Sequence, residues 1–292
     1  MQYTCQGLLR EGEKRLTESG IEQAKVDAWL LFSQVTGLDR TRYFMRTGDM
    51  VTDTVAEDYL GKIARRTKRE PLQYIEGIAH FMGYEFFVNE NVLIPRMDTE
   101  ILASRAIDMA GRMCVSRLRG TEIRVLDMCT GSGCIIESVY LKLKEQGYMV
   151  KASASDISHE ALEVAGENAH RLGAEIIFYE GNLFENVKGT YHMIISNPPY
   201  IRSDVIEGLE PEVKDHEPRL ALDGTADGLE FYRRIIRESR SFLEDNGMLL
   251  LEIGYDQGME VTQLCLREGY SHVKIIKDFA GLDRVVTAQL EE

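Results

Sequence analysis

The chain has 292 residues, enough for one large domain and a smaller one, and its 44% hydrophobic and 28% charged residues are typical of a globular protein. No apolar run approaches the roughly 20 residues that a membrane-spanning helix needs, and the N-terminus does not resemble a signal peptide. We therefore expect a cytoplasmic protein that does not interact with membranes. The five cysteines are odd in number and form no C-x-x-C pair, which argues against a disulfide framework and against a zinc site.

The net charge of -14 is unevenly distributed along the chain. Residues 1–75 contain 12 Lys and Arg against 11 Asp and Glu, whereas the remainder contains 22 against 37. Binding to a nucleic-acid backbone depends on the neutralisation of its phosphates, and the acidic residues after position 75 do not favour this. No direct nucleic-acid contact is therefore expected. The basic residues 62–69 are interpreted as a solvated helix end, where the helix dipole favours cations.

The first 75 residues have a helical pattern and no strand pattern. Between Gly20 and Gly37 the apolar residues recur at helical spacing, namely Ala24, Ala28, Leu31, Phe32 and Val35. Residues 52–69 are predicted to form another helix, with Thr52 or Asp53 as its N-cap. The sequence therefore predicts a small N-terminal helical bundle over residues 1–75.

The pattern changes around residue 80. Aromatic and apolar residues that are interrupted by Gly83 predict a short β-hairpin or an extended linker. We assign residues 76–115 to this linker and residues 116–292 to a second domain.

After residue 120, short apolar runs alternate with segments of helical length. The runs are residues 123–126, 152–155, 176–179, 193–196 and 248–251, and helices are expected at 158–172 and 228–243. Such alternation predicts an α/β fold, with a parallel sheet covered by helices on both faces. Residues 272–276 and 284–288 are joined by a segment too short for a crossover helix, so they are predicted to form a C-terminal hairpin that adds an antiparallel strand.

A glycine-rich turn, residues 127–133, follows the first of these strands. Glycines at a strand-to-helix turn let the backbone approach a ligand in the crevice at the carboxyl ends of the strands. The spacing is not that of a dinucleotide site, because Ile136 occupies the position of the third glycine. Asp127 would repel a pyrophosphate but attract the cationic amino group of a methionine, so the turn favours S-adenosylmethionine over NAD. The alternative is a tight turn with a purely structural role.

Two more strand ends supply candidate cofactor ligands. Asp156 ends the second strand, where a carboxylate can accept hydrogen bonds from both ribose hydroxyls. The competing role for Asp156 is that of N-cap to the next helix, for which Ser158 is better suited. After the third strand, Asn182 is expected to meet the exocyclic amine of adenine, and Leu183 to pack on the ring.

The fourth strand ends in the tetrapeptide Asn197-Pro198-Pro199-Tyr200. Because proline has no N–H and a fixed φ, the carbonyls before the two prolines lack local partners. The Asn197 side-chain oxygen and the Pro198 carbonyl can then accept both hydrogens of a planar amide or amine, while Tyr200 offers a stacking face. These acceptors would stabilise the positive charge that develops on the nitrogen as it takes a methyl group. The alternative is an Asx-Pro turn that merely closes a strand.

Other catalytic constellations are absent from the sequence. The six histidines show no pairing at metal-ligand spacing, and there is no G-x-S-x-G elbow for a serine nucleophile. The sequence therefore predicts no metal.

The chain resembles, nearly end to end, the protein-(glutamine-N5) methyltransferases of peptide chain release factors. The similar segments are Gly20–Ala28, Pro71–Ile75, Val92–Arg96, Asp127–Gly133, Asn197–Tyr200 and Glu217–Leu222. The resemblance implies a class I methyltransferase sheet of seven strands and an N-terminal helical bundle that docks on the release factor. It also implies a substrate glutamine in the Gly-Gly-Gln loop. The chain departs from the family at Asn182, where an acid is more common, and at Met97-Asp98, which replaces Pro-Glu.

These interpretations define a predicted site. The predicted cofactor residues are Asp127, Cys129, Thr130, Gly131, Ser132, Gly133, Asp156, Asn182, Leu183 and Asn197. The predicted substrate residues are Asn197, Pro198, Pro199 and Tyr200, of which Asn197, Pro198 and Tyr200 are predicted to be catalytic. A monomer is expected.

Two other functions remain open from the sequence. The Asn-Pro-Pro-Tyr motif also occurs in amino-methyltransferases that act on adenine in DNA or RNA, although such enzymes need a basic cleft. A cofactor-binding adaptor without catalysis is the other alternative.

Overall fold

The computed structural model describes residues 3–116 and 120–291. The chain divides into two compact units, Met1–Ile78 with Glu210–His216, and Ala79–Leu209 with Glu217–Glu292. We call the first the helical unit and the second the sheet unit.

The described residues form the following elements. The helices are α1 (Cys5–Glu18), α2 (Ala24–Thr36), α3 (Arg40–Met45), α4 (Asp53–Arg66), α5 (Leu72–Glu76), α6 (Thr99–Ser116), α7 (Cys134–Glu145), α8 (His159–Leu172), α9 (Ser203–Ile206), α10 (Pro211–Lys214), α11 (Arg219–Leu222), α12 (Glu230–Ser239) and α13 (Gly258–Arg267). The strands are β1 (Ile78–Phe81), β2 (Tyr84–Phe87), β3 (Ile123–Met128), β4 (Val150–Asp156), β5 (Ile176–Glu180), β6 (Tyr191–Ser196), β7 (Leu243–Glu252), β8 (Tyr270–Lys277) and β9 (Asp283–Leu290). None of the described helices is long and apolar enough to cross a bilayer.

The helical unit contains the predicted N-terminal bundle. The α4 helix starts at its predicted cap, because the Thr52 hydroxyl accepts a hydrogen bond of 3.3 Å from the Val55 N–H. The α2 helix ends at Gly37, whose φ of 67° is a left-handed conformation that glycine adopts without strain. The apolar faces of the helices form one core, which includes Leu8, Leu16, Leu31, Phe32, Tyr59 and Ile63.

The basic segment at the end of α4 is largely engaged in ion pairs within the helical unit. Arg66 is 9% exposed, and its guanidinium donates to Asp27 at 2.8 Å and to Glu212 at 3.0 Å. Arg65 pairs with Glu70. The interpretation of this segment as a solvated helix end is therefore wrong for Arg66, whose charge is neutralised inside the unit.

After residue 77, β1 and β2 form a two-stranded hairpin. Its two-residue turn has positive φ at Met82 (53°) and Gly83 (84°), as a type I′ turn requires. Farther along, α6 was not predicted from the sequence. Its buried face, which includes Leu102 and Ala106, packs into the core of the sheet unit.

The sheet unit is built on seven strands in the order β5-β4-β3-β6-β7-β9-β8. The first five pair in parallel, and β9 is antiparallel to both β7 and β8, so the predicted sheet and its C-terminal hairpin are confirmed. Side chains alternate between two cores: Val125 faces the side covered by α6 and α7, and Leu126 faces the side covered by α12 and α13. The strand order reverses between β3 and β6, which is where ligands bind in open α/β sheets.

Candidate active site

A cleft of about 260 Å³ opens at the carboxyl ends of the parallel strands of the sheet unit. Its walls come from the segment before α6, the loops after β3, β4, β5 and β6, the segment around α11, and residues of α7, α8 and α12. From the predicted site they include Cys129, Thr130, Gly131, Ser132, Asp156, Asn182, Leu183, Asn197 and Pro199. Asp127, Gly133, Pro198 and Tyr200 are not among the residues that line it.

The loop after β3 has an unusual backbone. The φ angles of Cys129, Gly131 and Gly133 are 60°, 54° and 80°. A Cβ on Gly133 would lie 2.2 Å from Glu137 Oε1 and 3.1 Å from the Ala165 Cβ, so a side chain here would collide with α7 and α8. A Cβ on Gly131 would meet no atom of the described part of the chain within 4 Å, which leaves open space over that part of the loop.

Asp127 lies beneath this loop and is fully buried. The Thr130 hydroxyl donates to Asp127 Oδ2 at 2.7 Å, whereas Oδ1 is buried without a hydrogen-bond partner among the described residues. Burial raises the pKa of Asp127 to about 7, and the nearby Asp156 carboxylate adds to the rise. A cation placed against Oδ1 would satisfy this oxygen and restore the charged form of the acid.

Asp156 connects two loops at the edge of the cleft. Its Oδ2 accepts from the Gly131 N–H at 2.9 Å, and its Oδ1 accepts from the Ser158 N–H at 3.0 Å. Burial raises the pKa of Asp156, and these two hydrogen bonds oppose the rise because they stabilise the charged form. The N-cap of α8 is Ser158, whose hydroxyl accepts from the Ala161 N–H at 3.1 Å. Asp156 is thus not needed as the cap of α8.

The loop after β5 places Asn182 and Leu183 on the wall of the cleft. Leu183 is 4% exposed and has a φ of 57°. Its carbonyl accepts a hydrogen bond of 3.0 Å from the buried hydroxyl of Ser155, near the end of β4. The Asn182 side chain is exposed. The apolar side chain is therefore held firmly while the amide beside it stays accessible.

The loop after β6 begins at Ser196, whose hydroxyl donates to the Met128 carbonyl at 2.7 Å. This bond joins the ends of β3 and β6. Asn197 follows directly, and its Nδ2 donates to the Thr99 hydroxyl at 3.4 Å. Pro198 and Pro199 are buried. The Asn197 amide is thus held by Thr99 in the wall of the cleft.

Tyr200 turns away from the cleft. Its ring packs on the core beside α12, and its hydroxyl donates to Glu252 Oε1 at 3.3 Å. Burial raises the pKa of the Tyr200 hydroxyl above its ordinary value, and the Glu252 charge adds to the rise. The Gln257 side-chain amide also donates to the Tyr200 carbonyl at 3.1 Å. Both ends of the tetrapeptide are therefore anchored to the sheet unit.

Several polar residues at the site were not predicted. Arg96, Thr99 and Arg234 line the cleft, and Glu252 lies behind Tyr200. The Arg96 guanidinium pairs with the buried Glu217 at 2.5 Å. Both residues lie in segments that resemble the methyltransferase family, but the sequence alone predicts no role for either. Glu252 had a recognisable signal, because an acid that ends a buried apolar strand is the same pattern that marked Asp127 and Asp156.

The residues present fit S-adenosylmethionine. The unpartnered oxygen of Asp127 suits the cationic amino group of a methionine. The Asp156 carboxylate lies at the end of β4, where a ribose is held in such sheets. The space over Gly131 leaves the backbone open to a ligand.

Comparisons with known proteins agree with this geometry. A model of the PrmC N-terminal domain matches residues 7–77, and a model of the methyltransferase small domain matches residues 96–208. The chain is 38% identical over 286 residues to the release factor glutamine methyltransferase of Agrobacterium fabrum, which covers 97% of this chain and 96% of that protein. It is 37% identical over 276 residues to the protein of the same name from Geobacter sulfurreducens, with 94% and 93% covered.

Among solved structures, the catalytic domain of hMettl16, in complex with the MAT2A 3′UTR hairpin 6, has the same fold. The TM-score is 0.55 at 15% identity, with 84% of this chain and 86% of that chain covered. The fold and the family matches make this chain a methyltransferase that uses S-adenosylmethionine. The identity to curated relatives over nearly their whole length assigns it further: the chain belongs to the family of release factor glutamine methyltransferases.

Proposed function

We propose that this protein methylates the side-chain amide nitrogen of the glutamine in the Gly-Gly-Gln loop of class I peptide chain release factors. The observation that best supports the proposal is the position of Asn197. Its Nδ2 is engaged by Thr99, so its Oδ1 is the atom left to accept a hydrogen bond from a substrate. An acceptor at the edge of the cofactor cleft suits a neutral NH2 group.

The chain's own residues hold and polarise the amide. Asn197 Oδ1 and the Pro198 carbonyl accept the two N–H hydrogens of the substrate glutamine. As the nitrogen takes the methyl group, the S–CH3 bond breaks and positive charge develops on the nitrogen; both dipoles stabilise this charge without reorganisation, because the loop after β6 is already anchored. The nitrogen then releases one N–H proton to water, which leaves a neutral N-methyl amide. Pro199 shapes the wall of the cleft. Tyr200 serves the site by holding the loop through Glu252, and the stacking face that we predicted for it would require its ring to turn toward the cleft.

S-adenosylmethionine, when bound, supplies an electrophilic methyl group on a sulfonium. Asp127 and the loop residues Cys129, Thr130, Ser132 and Gly133 would hold its methionine part. Asp156 would accept the ribose hydroxyls, and Asn182 and Leu183 would face the adenine. The exposed position of Asn182 and the fixed position of Leu183 are consistent with these roles.

The helical unit would dock the protein substrate. Its surface carries exposed large apolar side chains at Phe44, Met45 and Met50, which is a feature of protein interaction sites. The enzyme would work as a cytoplasmic monomer, without direct contact to nucleic acid. The acidic balance of residues 76–292 supports the last point, since phosphate contacts need Lys and Arg.

Mass spectrometry of a purified release factor, after incubation with enzyme and S-adenosylmethionine, tests the proposal. We expect the tryptic peptide with the Gly-Gly-Gln loop to gain the mass of one methyl group, located on the glutamine side chain. A release factor in which this glutamine is replaced by asparagine is the matched control and should stay unmodified. Methylation of adenine in DNA or RNA oligonucleotides, with an unmodified release factor, would instead support the rival activity.

A further inference from the structure

Arg96 lies in the wall of the cleft, close along the chain to the proposed substrate acceptor. Its carbonyl accepts from the Thr99 N–H at 3.1 Å, and the Thr99 hydroxyl accepts from Asn197 Nδ2 at 3.4 Å. Arg96 and Asn197 both line the cleft, as does Pro218, which directly follows the ion-pair partner of Arg96. Arg96 is thus joined to the proposed substrate acceptor through a single residue.

Glu217 fixes the position of the Arg96 guanidinium. The Glu217 side chain is 1% exposed, and its Oε1 accepts from Arg96 Nη2 at 2.5 Å. Among the described residues its Oε2 has no hydrogen-bond partner, so the pair is made through one oxygen. Burial raises the pKa of Glu217, and the Arg96 charge and hydrogen bond oppose the rise. Such an acid holds its arginine in place, because moving the arginine away would leave a buried carboxylate unpaired.

Most of the donors of Arg96 remain open to a ligand. A guanidinium carries N–H donors on all three of its nitrogens. Within residues 3–116 and 120–291, the hydrogen bond from Nη2 to Glu217 is the one that this guanidinium makes. The Arg96 side chain is 40% exposed, so its other donors are accessible. Because a guanidinium has no acceptor, a ligand of Arg96 must present oxygen lone pairs.

The proposed substrate loop offers such oxygens on its backbone. A glycine has no side chain, so the glycines of a Gly-Gly-Gln loop can be recognised by hydrogen bonds only through their N–H and C=O groups. The amide oxygen of the glutamine side chain is a poor partner for a cation. A charge there would draw the nitrogen lone pair toward the oxygen and weaken the nucleophile. The backbone carbonyls of the loop are therefore the acceptors that suit Arg96.

From this arrangement we infer that Arg96 binds backbone carbonyls of the Gly-Gly-Gln loop, and that Glu217 is the positioning residue for Arg96. Asn197 Oδ1 takes a hydrogen of the reacting amide, and Arg96 holds the chain that carries this amide. The inference rests on the proposed function, in which that loop enters the cleft. Arg96 binds the loop equally well before and during methyl transfer, so its contribution falls on KM rather than on kcat.

The test is Arg96→Met combined with Glu217→Gln, which removes the guanidinium without leaving a buried charge. We expect KM for intact release factor to rise between about tenfold and a hundredfold, the loss expected for hydrogen bonds to a charged group. The kcat should change by less than about threefold, because uniform binding is lost. Affinity for S-adenosylmethionine, measured by calorimetry, should be unchanged.

A release factor whose loop glutamine is replaced by asparagine measures binding without chemistry. It keeps the backbone of the loop and should therefore compete with the substrate. Its inhibition constant should rise in the double variant by the same factor as KM, because no methyl transfer contributes to this measurement.

Arg124→Met combined with Glu244→Gln is the matched control. These two residues also form an ion pair at 2.5 Å, and the Arg124 side chain is 36% exposed. They lie near the starts of β3 and β7, at the opposite end of the strands from the cleft. Loss of this pair should leave KM at the wild-type value.

Two single variants separate recognition from folding. Arg96→Lys keeps a cation against Glu217, and with it the fold, but lacks the planar fork, so KM should still rise at least about threefold. Glu217→Gln keeps an acceptor for Arg96 but weakens the pair, so KM should rise about threefold at unchanged kcat. If the combined Arg96→Met and Glu217→Gln variant does not fold, Arg96→Lys decides the question.

Several results overturn the inference while the proposed function stands. One is a wild-type KM in Arg96→Lys or in the double variant. A loss of cofactor affinity would instead place Arg96 on the carboxylate of S-adenosylmethionine, and a lower kcat at unchanged KM would place it on the reacting amide. If the wild-type enzyme leaves the glutamine of the release factor unmethylated, the proposed function fails, and the inference fails with it.

Discussion

Asp156 and Gly131 are joined by a hydrogen bond of 2.9 Å from the glycine N–H to the carboxylate Oδ2. The end of β4 thus holds the loop that follows β3, and these two strands are parallel neighbours in the sheet. One side chain both anchors the glycine loop and presents a carboxylate at the cleft.

The first prediction follows from this double role. Asp156→Ala should weaken S-adenosylmethionine binding by about 1.5 to 3 kcal/mol, the usual range for hydrogen bonds to a charged group. Titration calorimetry measures the loss, and NAD should bind to neither form. Asp108→Ala, which removes an exposed acid on α6, is the control and should leave the affinity unchanged. Equal affinity of wild type and Asp156→Ala would exclude Asp156 as a ribose ligand.

The second prediction concerns Asn197. Asn197→Ala should slow methyl transfer by about a hundredfold or more, because it removes one dipole that stabilises the transition state, while most cofactor affinity remains. Asn197→Asp keeps an acceptor but adds a charge beside the sulfonium. We expect a rate between those of wild type and alanine, with cofactor binding no weaker. Single-turnover rates on intact release factor measure both effects, and an alanine variant as fast as wild type would mean that Asn197 only closes a turn.

The third prediction concerns the ion pairs at the end of α4. Arg66→Ala should destabilise the helical unit by about 3 to 5 kcal/mol, because it leaves the buried Asp27 carboxylate without its partner. Arg65→Ala removes a more exposed pair with Glu70 and a long hydrogen bond to the Tyr74 carbonyl, and should cost less than about 1 kcal/mol. The single tryptophan, Trp29, is buried in this unit, so its fluorescence during denaturation reports on the unit directly. Similar midpoints for both variants would show that the Arg66 pairs contribute little.

The fourth prediction concerns stability against pH. Glu137 is fully buried in α7, and within residues 3–116 and 120–291 neither of its carboxylate oxygens has a hydrogen-bond partner, so burial raises its pKa from 4.5 to about 10. The folded protein therefore keeps a proton that the unfolded chain releases above pH 4.5. This contribution to stability is fully present below that pH and is lost as the pH rises toward 10, by up to about 1.4 kcal/mol per pH unit.

Glu137→Met fills the same space without an ionisable group and should flatten this dependence. The window from about pH 7.5 to 8.5 isolates the effect, because the raised pKa values of Asp127 and Glu252 are about 7 and burial raises the pKa of the Cys134 thiol above its ordinary 9.0. In thermal unfolding followed by circular dichroism, the melting temperature of Glu137→Met should rise relative to that of the wild type as the pH rises. If the melting temperatures of the two proteins changed equally with pH, Glu137 would not be protonated in the folded protein.

The fifth prediction concerns the surface of the helical unit. Phe44 and Met45 are 71% and 74% exposed, and replacing both by serine should raise KM for intact release factor with little change in cofactor affinity. Met149→Ser, in the sheet unit, is the control for loss of an exposed apolar residue. An unchanged KM would exclude this surface as the docking site. These substitutions are better tests than deletion of residues 1–75, which would strip residues 210–216 of the rest of their unit.

The structure also changes how the basic segment should be tested. Charge reversal at Arg66 would place a carboxylate against Asp27 inside the helical unit, so any loss of activity would reflect unfolding.

The sheet was predictable because its signals are local. Each parallel strand is a short apolar run between helical segments, and Asp127 and Asp156 mark two strand ends. Glu252 carries the same signal after Leu249–Leu251, and it was missed because the run was interpreted only as a strand.

The rest of the site depends on contacts between residues far apart in the chain. Thr99 meets Asn197 across 98 positions, and Arg96 meets Glu217 across 121. Neither pair has a pattern that periodicity or spacing can detect. The helix α6 was overlooked for a different reason: it follows directly on the hairpin and was included in the linker, although its apolar residues have helical spacing.

The assignment of residues 210–216 to the helical unit has a consequence for biosynthesis. Arg66 and Glu212 are separated by 146 positions, and a ribosome adds roughly 5 to 20 residues per second. For roughly 7 to 30 seconds, therefore, the nascent N-terminal helices exist without the segment that completes them. During that interval Asp27 is the only one of these two acids available to Arg66, and the finished unit forms only when most of the sheet strands have already left the exit tunnel.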